Sequence, residues 1–130
     1  MAATYLDSSA IVKLAVREPQ SDALRKYLRR RRPVISSALA RAEVLRALLP
    51  GGEPALASGR RVLDRVDLVR VNDRVLNLAA TLLPLELRSL DAIHLATATR
   101  LGSDLSDVVT YDERMVAAAR SMGYRVSSPS

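Results

Sequence analysis

Residues 3–12 read ATYLDSSAIV and carry the pattern that decides the fold. Ala3 to Leu6 form a short, mostly apolar run that predicts a buried strand. Asp7 ends the run and can begin a helix, because Asp is a favoured N-cap residue. The pattern returns near the other end of the chain, where residues 108–112 read VVTYD and Glu113 opens a helical stretch. The chain is therefore expected to be built from β-α units.

The alternation of short β-rich runs and longer helical runs continues between these two stretches. The expected strands cover residues 3–6, 33–36, 68–71, 107–111 and 124–127. The expected helices cover residues 8–17, 21–31, 38–49, 54–66, 72–83, 89–101 and 113–122. This order predicts an α/β protein with a mostly parallel sheet of four or five strands. The 130 residues suit a single domain, 1–130, in which Pro50 to Glu53 is the most flexible segment and Gly59 a weak spot.

The composition excludes several classes of protein and site. The chain has no Cys, which rules out disulfides and thiolate metal sites, and its single His argues against a His-rich zinc site. No apolar run approaches the roughly 18 residues of a membrane span, and no signal-peptide pattern is present. A cytoplasmic protein without membrane association is therefore expected.

The charge balance favours a polyanionic partner. The formal net charge is +6, and apart from two lysines the basic residues are arginines. Arginine forms planar, two-pronged contacts with phosphate, so a nucleic-acid partner is expected. The run Arg29, Arg30, Arg31, Arg32 is either a solvated helix end or a contact with RNA phosphates or an acidic partner segment. The sequence leaves both interpretations open.

Four acidic residues interrupt or end apolar segments, namely Asp7, Glu43, Asp91 and Asp112. Parallel sheets bind ligands beyond the carboxyl ends of their strands, where Asp7 and Asp112 are expected. Glu43 borders the apolar stripe of a helix whose inward positions are expected to be Leu39, Ala42, Leu45 and Leu49. Asp91 lies early in a helix whose inward positions are expected to be Leu90, Ile93, Ala96 and Thr97. The fold can therefore bring all four carboxylates together.

Each acid also has an ordinary structural interpretation. Asp7 and Asp112 can be N-caps, Glu43 can pair with Arg46 or face solvent, and Asp91 can favour a helix N-terminus. As a set they are harder to explain, because two like charges about 4 Å apart cost about 4 kcal/mol at an effective dielectric near 20. A divalent cation would remove this repulsion, and hard cations such as Mg²⁺ prefer oxygen ligands.

One family shares the motifs and their order. The segments Tyr5-Leu6-Asp7-Ser8-Ser9-Ala10, Ala42-Glu43-Val44, Leu90-Asp91-Ala92-Ile93-His94-Leu95-Ala96 and Val109-Thr110-Tyr111-Asp112 resemble a PIN domain. The chain is most similar to the VapC toxins of bacterial toxin–antitoxin pairs, along essentially its whole length. The resemblance implies a PIN-like three-layer α/β/α sandwich. It also implies an acidic quartet, Asp7, Glu43, Asp91 and Asp112, that binds Mg²⁺ or Mn²⁺.

The resemblance implies a metal-dependent ribonuclease, the toxin of a type II pair, that hydrolyses RNA by metal-activated water. Ser8, Ser9 and Thr110 are expected to support the quartet. His94 could orient Asp91 or contact phosphate, but it is left out of the site as an ordinary helix histidine. A VapB-type antitoxin and a homodimer are the implied protein partners, with an interface guessed at the second to fourth helices. The alternative is a catalytically inactive basic α/β module that binds RNA or a partner protein. Neither interpretation identifies the RNA target.

Overall fold

Five parallel strands form the central sheet of the computed structural model, which describes residues 2–130. The strands are β1 (Ala3–Leu6), β2 (Val34–Ser37), β3 (Asp67–Val69), β4 (Leu105–Val109) and β5 (Val126–Ser127), in the order β3-β2-β1-β4-β5. The helices are α1 (Ser8–Ala15), α2 (Ser21–Leu28), α3 (Ala40–Leu48), α4 (Gly52–Leu63), α5 (Asp73–Ala79), α6 (Ser89–Thr99) and α7 (Glu113–Ser121). Short 3₁₀ turns cover Leu49–Gly51 and Gly102–Asp104.

Helices cover both faces of the sheet, because successive side chains of β1 point to opposite faces. Leu6 packs in a core with apolar residues of α1, α2, α3 and α4. Tyr5 points the other way and packs with Ala98 of α6 and Val108 of β4. A third apolar cluster joins Leu95 of α6 to α7. The expected three-layer α/β/α sandwich is confirmed, and the sheet, expected to be mostly parallel with four or five strands, has five parallel strands.

The central strand β1 marks the point where the strand order reverses. The chain moves from β1 to β2 on one side and later returns to β4 on the other. In such sheets the crevice beyond the carboxyl ends of the two strands is the usual ligand site. Asp7 follows β1 and its backbone N–H donates to the Val109 carbonyl at 3.2 Å. The β1/β4 edge is therefore where the candidate site is built.

Most expected elements begin or end one to four residues from the observed position, and α5 and β4 are two cases with a clear cause. Helix α5 stops at Ala79 instead of residue 83, because the N–H groups of Thr81 and Leu82 bond to carbonyls three residues back and tighten the chain ahead of Pro84. Strand β4 covers residues 105–109 instead of 107–111. After Val109 the chain turns so that the Thr110 side chain faces Asp7 instead of continuing the strand.

The expected inward faces of α3 and α6 were partly wrong. Helix α3 buries Ala40, Val44 and Leu48. Of the expected inward residues, Leu45 packs partly buried against the same core, whereas Ala42 is exposed and Leu49 is 52% exposed. In α6, Ala96 and Thr97 are buried as expected, but Leu90 is 48% exposed. Since α3 packs against both α1 and α4, its neighbours set its rotation rather than its own apolar pattern.

The expectation of a flexible link at residues 50–53 and a weak spot at Gly59 was also wrong. The link is a 3₁₀ turn that leads directly into α4. Gly59 is buried, and a Cβ placed there would lie 2.6 Å from Leu48 Cδ1 and 3.2 Å from Leu45 Cδ2. The missing side chain therefore allows α4 to approach α3 closely.

Within residues 2–130, no helix is long and apolar enough to cross a membrane.

Candidate active site

Asp7 is the most buried of the four acidic residues, with 4% of its surface exposed. Its Oδ1 accepts hydrogen bonds from Ser9 Oγ at 2.7 Å and from the Ala10 backbone N–H at 3.1 Å. Its Oδ2 accepts one from Thr110 Oγ1 at 2.5 Å. Burial raises the pKa of the Asp7 carboxyl, although the bonds from Ser9 and Thr110 act in the opposite direction. Asp7 is thus both the N-cap of α1 and a buried carboxylate with only neutral donors around it.

Asp112 lies beside Asp7 because Thr110 connects them. The Thr110 hydroxyl donates to Asp7 and accepts from the Asp112 backbone N–H at 3.1 Å. Asp112 is the N-cap of α7, where its Oδ1 accepts from the N–H groups of Arg114 and Met115. The N-cap interpretation of both aspartates is therefore correct, and it does not compete with a role in ligand binding. Both caps direct a carboxylate toward the same edge of the sheet.

Asp91 joins this group through Arg88, which precedes α6. Arg88 Nε lies 3.3 Å from Asp91 Oδ2, and Arg88 Nη2 lies 3.4 Å from Asp112 Oδ2. Asp91 occupies the first turn of α6, as the helix-terminus interpretation expected. One guanidinium therefore partly neutralises two of the four carboxylates. Arg88 is itself 59% exposed, so solvent weakens both ion pairs.

Glu43 lies in a second group of contacts that involves Ser8 and His94. Its Oε1 accepts from Ser8 Oγ at 2.7 Å and pairs with His94 Nε2 at 2.6 Å. Burial raises the pKa of the Glu43 carboxyl, but the bonds from His94 and Ser8 outweigh it and the net shift is downward. The alternative pairing with Arg46 is not formed. Because Ser8 follows Asp7 directly, Glu43 lies next to the Asp7 group.

The structure places all four acids at the carboxyl edge of the sheet. Three of them are joined through Thr110 and Arg88, and Glu43 lies beside this group through Ser8. The structure does not close the four acids into a cage: among residues 2–130, no three carboxylate or imidazole groups converge closely enough to hold a metal ion as they stand. The donor set is nevertheless one of hard oxygens, and within residues 2–130 no ion pair forms to the buried Asp7 carboxylate, whose pKa stays raised although His94 lowers it in part. Both features suit a divalent cation.

The sequence interpretation did not include two residues that the structure places in contact with these acids. His94 was set aside, yet it is 2% exposed and bonds to Glu43. Its position inside the buried stretch of α6 was the available signal, since a buried imidazole requires partners. Arg88 carried no signal of its own, because nothing local distinguishes it from the chain's many other arginines. Of the supporting residues, Ser9 and Thr110 bond to Asp7, and Ser8 bonds to Glu43.

A parallel α/β fold with acidic residues at the carboxyl edge of its sheet defines a PIN domain. The family model described as "PIN domain" matches residues 4–121, and the chain belongs to this family. Its curated relatives place it within the VapC branch of toxin–antitoxin ribonucleases. It is 68% identical over 130 residues to Ribonuclease VapC46 of Mycobacterium tuberculosis, with 100% of both chains covered. It is 37% identical over 130 residues to Ribonuclease VapC47 of the same species, with 96% of each chain covered.

Solved structures of lower identity share the fold. One is described as the sarcin-ricin loop cleaving toxin VapC20 of Mycobacterium tuberculosis. It has a TM-score of 0.75 at 17% identity and covers 89% of this chain and 95% of its own. Another is a toxin-antitoxin complex from Klebsiella pneumoniae, with a TM-score of 0.72 at 17% identity and 98% coverage of both chains. At this identity the likeness establishes the architecture alone.

Proposed function

We propose that this VapC-family protein is an endoribonuclease that hydrolyses RNA with the help of Mg²⁺ or Mn²⁺. The observation that carries the proposal is the buried Asp7 carboxylate at the β1/β4 edge, which only hydroxyl and amide donors contact. A buried carboxylate with a raised pKa is costly unless a cation approaches it. The curated relatives named ribonucleases support the same conclusion.

The four acids would bind the cation in different ways. We assign Asp7 and Asp91 as direct ligands, and Asp112 and Glu43 as ligands through water or to a second ion. Magnesium retains several waters and takes few protein carboxylates, which agrees with an incompletely closed set. When bound, the cation supplies an acidified water as nucleophile and neutralises charge on the phosphate. The expected products carry a 5′-phosphate and a 3′-hydroxyl.

The chain's own residues would hold these ligands ready. Ser9 and Thr110 fix both oxygens of Asp7, and two amides at the start of α7 fix Oδ1 of Asp112. These two carboxylates therefore enter the site with little freedom left to lose, which favours cation binding. Arg88 reduces the repulsion between Asp91 and Asp112 and leaves part of its guanidinium exposed toward an RNA phosphate.

A second candidate function is a basic module that binds RNA or a partner protein without turnover. The observation that favours it is the incomplete convergence of the carboxylates, two of which already contact Arg88. If this candidate is correct, adding metal ions to the protein changes neither RNA cleavage nor its thermal stability. Both functions use the net charge of +6.

The partners are part of the same proposal. A VapB-type antitoxin is supported by the neighbouring toxin-antitoxin complex. A homodimer is also proposed. The interface expected at helices α2 to α4 stays a prediction, with Leu49 exposed at the end of α3, and exposed leucines in and around α5 and the start of α6 offer a second possible interface. These leucines are Leu76, Leu83, Leu85 and Leu90, with Leu85 89% exposed. A cytoplasmic location is retained as a proposal.

The test is a cleavage assay on structured RNA with purified parent, Asp7→Asn and the control Asp64→Asn. Asp64 is exposed at the end of α4, so its substitution removes a carboxylate far from the site. We expect parent and control to cleave only with Mg²⁺ or Mn²⁺, and Asp7→Asn to lose at least about 100-fold in rate. Cleavage by Asp7→Asn at the parental rate, or cleavage in excess EDTA, would disprove the metal-ligand role.

A further inference from the structure

His94 is enclosed by hydrogen-bonding partners from three different elements. It lies on α6 with 2% of its surface exposed, and its Nδ1 lies 2.7 Å from the Tyr5 hydroxyl on β1. Its Nε2 lies 2.6 Å from Glu43 Oε1 on α3 and 3.3 Å from Ser8 Oγ on α1. Both ring nitrogens are therefore engaged, and the imidazole connects the sheet to the acidic edge.

The chemistry of the partners assigns the tautomer of the imidazole. A carboxylate oxygen can only accept a hydrogen bond, so Nε2 must donate in its 2.6 Å contact with Oε1 of Glu43. The tautomer that fits both contacts therefore carries its proton on Nε2. Its Nδ1 then accepts from the Tyr5 hydroxyl, which lies 2.7 Å away.

The ring of His94 is also held in its plane. Tyr5 is 1% exposed, and the two rings meet edge to face with centroids 5.9 Å apart and planes at 74°. Packing and the hydrogen bond from Tyr5 to Nδ1 fix the orientation of the ring. In this orientation Nε2–H can point only toward Glu43. The Tyr5 contact therefore determines where the imidazole donates.

The consequence for Glu43 is an unequal use of its two oxygens. Both Ser8 Oγ and His94 Nε2 bond to Oε1, and no residue within 2–130 bonds to Oε2. We propose that His94 is a positioning residue: held by Tyr5 as the Nε2–H tautomer, it fixes Oε1 of Glu43 so that Oε2 remains available to the divalent cation. This inference rests on the proposed function, since it assumes that Glu43 serves a cation.

The first test reads the tautomer directly. Because the chain has a single His, a long-range ¹H–¹⁵N spectrum of the imidazole shows one set of signals. At pH 7.5 without metal, we expect a protonated Nε2 and an unprotonated Nδ1 in the parent. In Tyr5→Phe, which keeps the ring and removes the hydroxyl, we expect the two ¹⁵N shifts to move toward each other as the tautomers mix. A proton on Nδ1 in the parent, or protons on both nitrogens, would overturn the assignment.

The second test measures Mn²⁺ affinity by calorimetry on folded variants. His94→Leu removes the donor, and we expect affinity to fall about 10- to 100-fold, as for other residues that orient metal ligands. His94→Gln places an amide donor near the former Nε2, and we expect it to restore affinity to within about 3-fold of the parent. The matched control is Thr99→Val, which removes a hydrogen-bonding group from the same helix, α6, but away from Glu43. Parental affinity in His94→Leu, or no rescue by His94→Gln, would refute the positioning role.

Failure of this inference is distinguishable from failure of the proposed function. If Asp7→Asn and the parent bind Mn²⁺ equally, the metal site itself is wrong, whatever the tautomer of His94. If Asp7→Asn loses affinity but His94→Leu does not, the metal site stands and the role of His94 falls. Should His94→Leu fail to fold, Tyr5→Phe provides the same comparison through a weaker perturbation.

Discussion

Replacing Asp7 by Asn is expected to change stability in opposite directions with and without metal. Asn keeps the shape of the side chain and an oxygen for the Ala10 N–H, but it removes the buried negative charge. Burial raises the folded-state pKa of Asp7 above its unfolded value. The stability that this group contributes is therefore fully present below the unfolded pKa and is lost as pH rises through the folded pKa. The Asn side chain does not ionise, so the variant does not lose this stability as pH rises.

The expected magnitudes differ clearly between parent and variant. At a metal concentration 100 times the dissociation constant, binding stabilises the parent by about 2.7 kcal/mol. For a domain of this size, 1 kcal/mol corresponds to roughly 3 to 5 °C in Tm. Metal should thus raise the parental Tm by roughly 8 to 13 °C and leave that of Asp7→Asn almost unchanged. Without metal at pH 8, Asp7→Asn should melt at or above the parental Tm.

The assay is thermal unfolding followed by circular dichroism at pH 4 and pH 8, with EDTA or with saturating Mn²⁺. The metal-free advantage of Asp7→Asn should shrink as the pH is lowered toward 4, because the raised pKa of the parental carboxyl favours its protonated form there. Asp64→Asn should follow the parent in every condition. If Mn²⁺ stabilises Asp7→Asn as much as the parent, Asp7 is not a ligand. If Asp7→Asn is less stable than the parent at pH 8 in EDTA, its burial as a charge is not costly.

Three further perturbations test other parts of the structure. Arg88→Gln should tighten Mn²⁺ binding about 3- to 10-fold in calorimetry. The variant frees Asp91 and Asp112 from two exposed ion pairs worth up to about 1 kcal/mol each. Weaker binding would show that Arg88 organises the ligands instead. Gly59→Ala should lower the free energy of unfolding by about 1 kcal/mol in urea titration, since crowding against Leu48 exceeds the gain in helix propensity. A stabilised variant would contradict the close packing of α3 and α4. Changing Arg29, Arg30 and Arg32 to Gln should flatten the salt dependence of single-stranded RNA binding by about 0.7 for each phosphate that the variant no longer neutralises; an unchanged slope would favour a solvated helix end.

Local signals in the sequence were sufficient for the architecture and for the position of the acids. Asp7 and Asp112 each follow a strand and cap the next helix, so a parallel sheet places both at one edge. The α/β alternation also predicted the number of helices and strands. These features depend on neighbours within a few residues, which is why periodicity and cap chemistry reveal them.

Long-range contacts explain what the sequence did not reveal. The partners of His94 are Glu43 and Tyr5, which lie 51 and 89 residues away in the chain. Arg88 meets Asp112 across 24 residues, through a turn whose path no local pattern specifies. The rotation of α3 depends on packing against two other helices, so an apolar residue such as Leu49 stays exposed. Such contacts exist only once the chain has folded.

A crystal structure of the protein grown with Mn²⁺, with anomalous difference density collected at the manganese edge, tests the site most directly. We expect a peak within bonding distance of the carboxylate oxygens of Asp7 and Asp91, with the Arg88 side chain moved away from Asp91. Density elsewhere, or no density at the β1/β4 edge from a protein that still cleaves RNA with Mn²⁺, would show that the acids of this edge do not carry the reaction.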